Sequence, residues 1–224
     1  MRSEFLVFGA PKLGEAEIDE VVATLRSGWL GTGPKVARFE ERFAEYLGLD
    51  REQAVAVNSC TAALHLSLLS ADVAGGEVIT TPMTFCATVN AIIHAGGTPV
   101  LVDIDPATLN IDAAALASAV GPNTRAIVPV HFAGYPCDMT AIEAIARRHG
   151  LAVIEDCAHA IESRIDGGAC GTFGDFGCFS FYVTKNVVCG EGGMVVAANP
   201  EHAGRLRRMA LHGLSVDASK RFGP

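Results

Sequence analysis

The sequence predicts an α/β protein with a mixed, mostly parallel sheet of seven strands between helices. Short runs rich in β-branched residues alternate along the chain with longer segments that carry an apolar helical stripe, and this alternation is typical of a parallel sheet covered on both faces. The last two runs, 177–182 and 193–198, are joined by only ten residues. Because a helical crossover needs more chain than that, we expect these two strands to pair antiparallel.

The chain begins with two predicted helices. "EAEIDEVVATLRSG" (15–28) and "KVARFEERFAEYLG" (35–48) are amphipathic, and Gly48 is a typical helix end. The connection between them, "WLGTGPK", is rich in glycine. Its Gly-x-Gly follows no strand and lacks a third glycine, so we do not expect a dinucleotide-binding loop.

Strands and helices then alternate up to the antiparallel pair. The earlier strands are predicted at 54–58, 77–81, 98–103, 126–130 and 151–155. The helices between them are predicted at 61–71, 87–96, 111–120 and 139–150. With 224 residues, half of them apolar, the chain is long enough to bury the core that such a sheet needs.

The composition excludes several classes of function. A formal net charge of -8 and 17 scattered Lys and Arg residues leave no broad basic surface for a nucleic acid. No run approaches the roughly 18 apolar residues of a membrane span, so we expect a cytoplasmic protein without a membrane partner. Seven cysteines without C-x-x-C spacing fit reduced thiols. Cys157 and His159 have no second ligand pair nearby in the sequence, so no metal site is expected.

A candidate anion site follows the first strand, since ligands of open α/β sheets bind beyond the carboxyl ends of the strands. Ser59, Cys60 and Thr61 start a helix there. Free N–H groups and the positive end of the helix dipole favour an anion at such a point, and the hydroxyls could hold a phosphate. On this evidence alone, simple capping of the helix by Ser59 or Thr61 is the better explanation.

Further candidate residues lie at or after the ends of strands. Glu155 and Asp156 end an apolar strand, and neighbouring side chains of a strand point to opposite sides. At least one carboxylate therefore needs a partner, such as a cationic ring nitrogen or an arginine. Lys185 lies in the connection after 177–182, where a lone lysine is usually a solvated charge. Phe85 follows the second strand and could stack on an aromatic ring.

Together, these residues meet the needs of pyridoxal 5'-phosphate (PLP). The cofactor needs an anion site for its phosphate, a carboxylate for its pyridinium nitrogen and a lysine for the Schiff base. The helix start at Ser59–Thr61, Asp156 and Lys185, which follows Asp156 by 29 residues, could supply them. The sequence therefore predicts a PLP site.

The chain resembles the sugar aminotransferases of the DegT/DnrJ/EryC1/StrS family in a series of segments that includes "GWLGTGPKVARFEERFA", "VITTPMTFCATVNAIIHAGGTPVLVDID", "VIEDCAHAI" and "GTFGDFGCFSFYVTKNVVCGEGGMVV". The resemblance covers almost the whole chain and implies the large domain of a fold type I, PLP-dependent transferase. "VHFAGYPCDM" and "LHGLSVDA" look most like the branch that forms UDP-4-amino-4-deoxy-L-arabinose.

The resemblance implies roles for individual residues. Lys185 matches the Schiff-base lysine, Asp156 the partner of the ring nitrogen, Phe85 the stacking aromatic residue and His159 a position close to the ring. The phosphate-binding positions are matched by Ser59, Cys60, Thr61 and Ser180. Relatives often have glycine where this chain has Cys60, which affects how closely the backbone approaches the phosphate.

The resemblance also implies a reaction. An amino acid, by family habit glutamate, gives up its amino group, which is then transferred to the keto carbon of a nucleotide-linked sugar, here expected to be a UDP-4-keto sugar. Dehydratases of the same fold carry histidine instead of the lysine, so Lys185 argues against them. A non-catalytic relative with a binding or regulatory role is the other alternative.

Substrate contacts are expected in the glycine-rich connection and after the fourth strand. The candidate positions are Trp29, Thr32, His131 and Tyr135. For His131, a buried ring satisfied by the backbone is an equally good explanation.

We expect three regions in the chain. Residues 1–50 form an N-terminal helical segment with an active-site loop, 51–212 the PLP-binding α/β large domain, and 213–224 the start of a linker. Family members continue into a small C-terminal domain, which is absent or truncated here and includes an asparagine that reaches the phosphate in the partner subunit. The resemblance thus implies a homodimer with shared active sites, and it leaves the activity of the 224-residue form open.

Overall fold

One mixed sheet of seven strands organises the protein in the computed structural model, which describes residues 5 and 9–214. The strands of the chain are β1 (Ala54–Val57), β2 (Glu77–Thr80), β3 (Thr98–Leu101), β4 (Thr124–Ile127), β5 (Ala152–Asp156), β6 (Arg164–Ile165), β7 (Gly168–Ala169), β8 (Phe176–Ser180) and β9 (Gly193–Ala197). The order in the large sheet is β1-β9-β8-β5-β4-β2-β3, and β6 and β7 form a separate hairpin.

The pairing in the large sheet is parallel except at β9. That strand runs antiparallel to both β1 and β8, whereas the other neighbours are parallel. The predicted seven-stranded, mostly parallel sheet is therefore confirmed, and so is the antiparallel pairing of the last two strands. Because β1 and β8 are both antiparallel to β9, their carboxyl ends lie at the same edge as that of β5.

Seven helices surround the sheet in the described part of the chain. They are α1 (Glu15–Ser27), α2 (Pro34–Leu47), α3 (Cys60–Ser70), α4 (Cys86–His94), α5 (Ala113–Ala119), α6 (Met139–His149) and α7 (Pro200–Ala210). The first six lie where the sequence predicts helices, and α2 ends at Gly48 in the left-handed conformation. None of the helices in the described residues is long and apolar enough to span a membrane.

Successive side chains of each strand point to opposite faces of the sheet, so an apolar layer forms on each face. Val55 and Ile154 belong to a layer shared with α3, α4 and α7. Their neighbours Ala54 and Val153 face the opposite side, where α2, α5 and α6 pack. This period of two gives the expected α/β architecture with helices on both faces of the sheet.

One helix and one short hairpin were not predicted from the sequence. Helix α7 has clear signals, since Asn199 caps its first turn and Pro200 occupies its first position. The strands β6 and β7 have two residues each, which is too short to show a hydrophobic period. The predicted linker at 213–224 lies outside the described residues, apart from its first two positions.

Candidate active site

The carboxyl ends of β1, β5 and β8 surround a cavity of about 580 Å³. Ligands of open α/β sheets bind at such an edge. Every side chain predicted to contact the cofactor lines this cavity, namely Ser59, Cys60, Thr61, Phe85, Asp156, His159, Ser180 and Lys185. The structure thus brings together residues from several separate segments of the chain.

The start of α3 combines helix capping with a possible anion site. Ser59 Oγ accepts the N–H of Ala62 at 3.1 Å and so caps the helix. Its own proton faces Asn58 Oδ1 at 3.4 Å, a weak contact that an anion could replace. The first-turn amides have no acceptor within the helix, and Thr61 is exposed. The two interpretations of this turn are therefore compatible.

Two residues shape the backbone of this turn. Cys60 is 8% exposed, and its thiol donates to the carbonyl oxygen of Cys178 at 3.5 Å. The Cys60 side chain is therefore tied to the core. Gly193, at the start of β9, lies against the turn, and a Cβ there would be 2.4 Å from the carbonyl carbon of Ser59. Only glycine leaves the turn undisturbed at this position.

The Asp156 carboxylate is held by two hydrogen-bond donors. Its Oδ2 accepts from Thr88 Oγ1 at 2.8 Å, and its Oδ1 accepts the N–H of Ala158 at 3.1 Å. Each carboxylate oxygen has two acceptor positions, so the group keeps capacity for a donor in the cavity. None of the ion pairs in the described part of the chain involves Asp156. The structural arginine that was the alternative partner is not found among them.

Glu155 points to the other side of the strand and is fully engaged. Its Oε1 accepts the N–H groups of Phe173 and Gly174, each at 2.8 Å. Its Oε2 accepts the N–H of Gly171 at 2.8 Å and lies 2.9 Å from His131 Nε2. The two adjacent carboxylates therefore differ: Glu155 joins β5 to the segment before β8, whereas Asp156 faces the cavity.

His131 is a buried ring with both nitrogens occupied. It is 1% exposed, and its Nδ1 accepts the N–H of Cys137 at 3.0 Å. The ring proton therefore sits on Nε2 and is donated to Glu155. Although His131 lines the cavity, these contacts fit a histidine satisfied within the fold better than a substrate contact.

The same ring belongs to a buried group of possible metal ligands. Donor atoms of His131, Glu155 and Cys157 lie within 4.8 Å of one another. The nitrogen and oxygen donors already have hydrogen-bond partners, as described above. Burial raises the pKa of the Cys157 thiol well above its ordinary value, which keeps it protonated and a poor ligand. The arrangement is that of a hydrogen-bonded core rather than a set of free metal ligands.

Lys185 is positioned by the connection between β8 and β9. Its backbone N–H donates to the Tyr182 carbonyl oxygen at 2.9 Å, and the next residue, Asn186, donates its side-chain amide to Glu162. Partial burial lowers the pKa of Lys185, while the Cys60 thiol and the Asp156 carboxylate act in the opposite direction. A lowered pKa makes the unprotonated, nucleophilic amine more available at neutral pH.

His159 and Phe85 complete the cavity. Partial burial lowers the pKa of His159, the positive charge of Lys185 lowers it further, and Asp156 acts in the opposite direction. The lowered pKa favours the neutral imidazole at pH 7. Phe85 is 77% exposed at the start of α4, so the face of its ring is free to stack on a planar ligand.

Three predicted substrate residues do not line this cavity. Trp29 donates its ring N–H to the Thr32 carbonyl oxygen at 3.1 Å. Thr32 lines a separate groove beside α2 and α3, and Tyr135 is 59% exposed. Conversely, Thr84 and Thr88 line the cavity, although they were not among the residues predicted from the sequence. Their spacing of four at the start of a helix is the signal that could have indicated them.

Comparison with known proteins shows the family of this chain. The sequence profile of the DegT/DnrJ/EryC1/StrS aminotransferase family matches residues 11–223. The chain is 51% identical over 222 residues to the spore coat polysaccharide biosynthesis protein SpsC of Bacillus subtilis, and the match covers 99% of this chain and 57% of SpsC. The chain thus spans a little over half the length of the curated relatives it matches.

Two solved structures are closely similar. Spr1654 from Streptococcus pneumoniae, described as a sugar aminotransferase and solved in its PLP form, has a TM-score of 0.88 and 36% identity over 93% of this chain and 58% of its own. DesI, solved in the presence of its TDP-sugar product, has a TM-score of 0.85 and 41% identity over 96% of this chain and 54% of its own. The predicted fold type I architecture is confirmed by these neighbours.

The cavity also fits the cofactor of Spr1654. Spr1654 has been solved with the cofactor in its PLP form and in its amino form, PMP. This cavity offers an amine with a lowered pKa, a carboxylate with acceptor capacity and a capped helix start, which suit the three polar groups of PLP. PLP is therefore the cofactor that the site is built for. Because the family pattern extends over nearly the whole sequence, the chain belongs to the DegT/DnrJ/EryC1/StrS aminotransferase family.

Proposed function

We propose that this chain forms the cofactor-binding part of an aminotransferase that moves the amino group of an amino acid, glutamate in our hypothesis, to a nucleotide-linked keto sugar. A UDP-linked 4-keto sugar is the proposed acceptor. The observation that carries the proposal is the convergence of Lys185, Asp156 and the first turn of α3 on one cavity.

Lys185 is the proposed catalytic residue. Bound PLP supplies a carbonyl that takes up amines and a ring that withdraws electrons from the neighbouring carbon. Lys185 Nζ would hold the cofactor covalently and, as a free amine, would move a proton at the substrate's α carbon. Both roles need the neutral amine, and the lowered pKa of Lys185 favours it.

The remaining residues hold the cofactor in place. The Asp156 carboxylate stabilises positive charge on the ring nitrogen. The start of α3, with the hydroxyls of Ser59 and Thr61, would bind the phosphate together with Ser180, which lines the same cavity. The ring of Phe85 would stack on the pyridine.

The substrate assignment draws on the relatives. DesI has been solved with a TDP-sugar product, and the name of SpsC places that protein in polysaccharide biosynthesis. Both are similar to this chain along nearly its whole length, which supports a sugar acceptor. Members of the family form dimers, so we also propose a homodimer in which both subunits contribute to each site.

The cofactor test uses the purified chain. Added PLP should give the visible absorbance band of a protein Schiff base, and borohydride should fix the cofactor to the peptide that contains Lys185, as read by mass spectrometry. Lys185→Ala should abolish the adduct. Lys35→Ala, which removes a surface lysine paired with Glu20, should leave it intact. Fixation at another lysine, or full transamination by Lys185→Ala, would show that the assignment is wrong.

The substrate test is a panel of UDP-, dTDP- and GDP-linked 4-keto and 3-keto sugars, with glutamate as donor. We expect an amino sugar from the UDP-linked 4-keto compound, detected by mass spectrometry. A dehydratase would instead release a deoxygenated sugar without consuming the amino donor. Cofactor binding without either product would favour the binding or regulatory alternative.

A further inference from the structure

Two threonine hydroxyls form a series of hydrogen bonds that ends at the Asp156 carboxylate. Thr88, on α4, is 1% exposed, and its Oγ1 lies 2.8 Å from Asp156 Oδ2. The hydroxyl of Thr84, one turn earlier, lies 2.7 Å from that of Thr88. Two hydrogen bonds thus connect the Thr84 hydroxyl to the Thr88 hydroxyl and the Thr88 hydroxyl to the Asp156 carboxylate.

The chemistry of these groups determines which of them donates each hydrogen bond. An ionised carboxylate only accepts hydrogen bonds, and a threonine has a single hydroxyl proton. Thr88 must therefore give its proton to Asp156. Its oxygen is left to accept the proton of Thr84. Each donor polarises the next, which strengthens the bond that reaches the carboxylate.

This arrangement leaves Asp156 one fixed orientation. The Ala158 N–H holds Oδ1 at 3.1 Å while Thr88 holds Oδ2. A carboxylate fixed at both oxygens cannot rotate without losing a bond, so its remaining acceptor positions have set directions. The side chain is 5% exposed, and water can hardly replace a lost partner.

We propose that Thr88 is a positioning residue for the cofactor: through its bond to Asp156, with Thr84 behind it, it sets the orientation in which the carboxylate meets the nitrogen of the PLP ring. The inference rests on the proposed function, since it assumes that Asp156 meets that nitrogen. It adds a residue that lines the cavity but acts through Asp156, because its hydroxyl is engaged by Asp156 and Thr84. A merely structural Thr88 would satisfy its buried hydroxyl without affecting one atom of the ligand in particular.

The experiment compares Thr88→Val, which removes the hydroxyl, with Thr88→Ser, which keeps it. Affinity for PLP is measured by absorbance titration, and affinity for the 1-deaza analogue, which has carbon in place of the ring nitrogen, is measured in parallel. We expect Thr88→Val to bind PLP about tenfold to a hundredfold more weakly, the range for losing a hydrogen bond to a charged group. The deaza analogue should bind as it does to the unaltered protein, and Thr88→Ser should restore PLP affinity.

Thr80→Val is the matched control. Thr80 is fully buried, and its hydroxyl donates to the backbone carbonyl of Val128 at 2.8 Å, away from Asp156. An equal loss of PLP affinity in Thr80→Val, an equal loss for both ligands in Thr88→Val, or no loss at all would overturn the proposal.

Thr84→Val covers the case in which Thr88→Val does not fold. It keeps the bond between Thr88 and Asp156 and removes only the donor behind it, so a smaller loss, specific to PLP over the deaza analogue, is expected. No such difference would overturn the proposal. Failure of the proposed function looks different, because the unaltered protein would then not bind PLP through Lys185 at all.

Discussion

Replacing Glu155 by glutamine should cost the protein much of its stability, although the side chain keeps its size. Glu155 accepts four hydrogen bonds, from three backbone N–H groups and from His131. In Glu155→Gln the amide oxygen can keep two of them, most simply those of Phe173 and Gly174. The amide nitrogen then faces the N–H of Gly171 and the ring of His131, and both present a proton to it.

A change of tautomer does not relieve this conflict. His131 could offer Nε2 as an acceptor only by moving its proton to Nδ1, which already accepts the N–H of Cys137 at 3.0 Å. Two hydrogen bonds are therefore lost in either tautomer: those of Gly171 and His131 in one, those of Gly171 and Cys137 in the other. A buried donor without a partner costs about 1–3 kcal/mol. The expected loss is thus about 2–6 kcal/mol, against a total stability of about 5–15 kcal/mol for a typical domain.

Urea unfolding followed by circular dichroism measures this loss directly. In a thermal melt the melting temperature should fall by about 4–24 °C, since each kcal/mol lowers it by about 2–4 °C in a chain of this size. Glu45→Gln, at an exposed position of α2, is the control and should change stability by less than about 0.5 kcal/mol. If Glu155→Gln unfolds within that same margin of the unaltered protein, the hydrogen-bond account of Glu155 is refuted.

Two further predictions concern the cavity. Gly193→Ala places a Cβ 2.4 Å from the carbonyl carbon of Ser59, so it should weaken PLP binding at least about tenfold, the cost of one displaced charge-assisted contact. Affinity for pyridoxal, which lacks the phosphate, should change little. Gly121→Ala, whose Cβ would meet no atom closer than 3.8 Å, should affect neither ligand. In an NMR titration the His159 ring should show a pKa below the ordinary 6.5. Lys185→Ala should raise that pKa, because it removes a positive charge and part of the burial, and an unchanged midpoint would contradict this account.

The fold could be predicted because its signals are local. Each strand of the large sheet appears in the sequence as a short apolar run between turn residues. The predicted connection of ten residues before the last strand is too short for a helical crossover, so the last two strands had to pair antiparallel. The order of strands in the sheet has no such local signal, since it depends on which edges pair in space. The β6–β7 hairpin was missed for a different reason: its strands have two residues each, too few to show a hydrophobic period.

The site was predictable where one residue type suits one chemical task. A lysine, an aspartate and a hydroxyl-bearing helix start point to PLP from the sequence, and the structure places all of them at one cavity. The threonines behind Asp156 were not predicted, because a hydroxyl on a helix has many ordinary uses. Only the distances of 2.7 and 2.8 Å show that Thr84 and Thr88 form a chain to the carboxylate.

The pair Glu155 and Asp156 shows why position in a strand decides the role of a carboxylate. The alternation of side chains predicts that the two point to opposite faces, but the sequence does not say which one is satisfied by the fold. Glu155 meets four donors and has no acceptor capacity left, whereas Asp156 meets two and keeps the rest for a ligand. The saturated carboxylate anchors the strand on which the other is presented. The proposed contact between Asp156 and the cofactor therefore depends on a neighbouring residue that does not line the cavity.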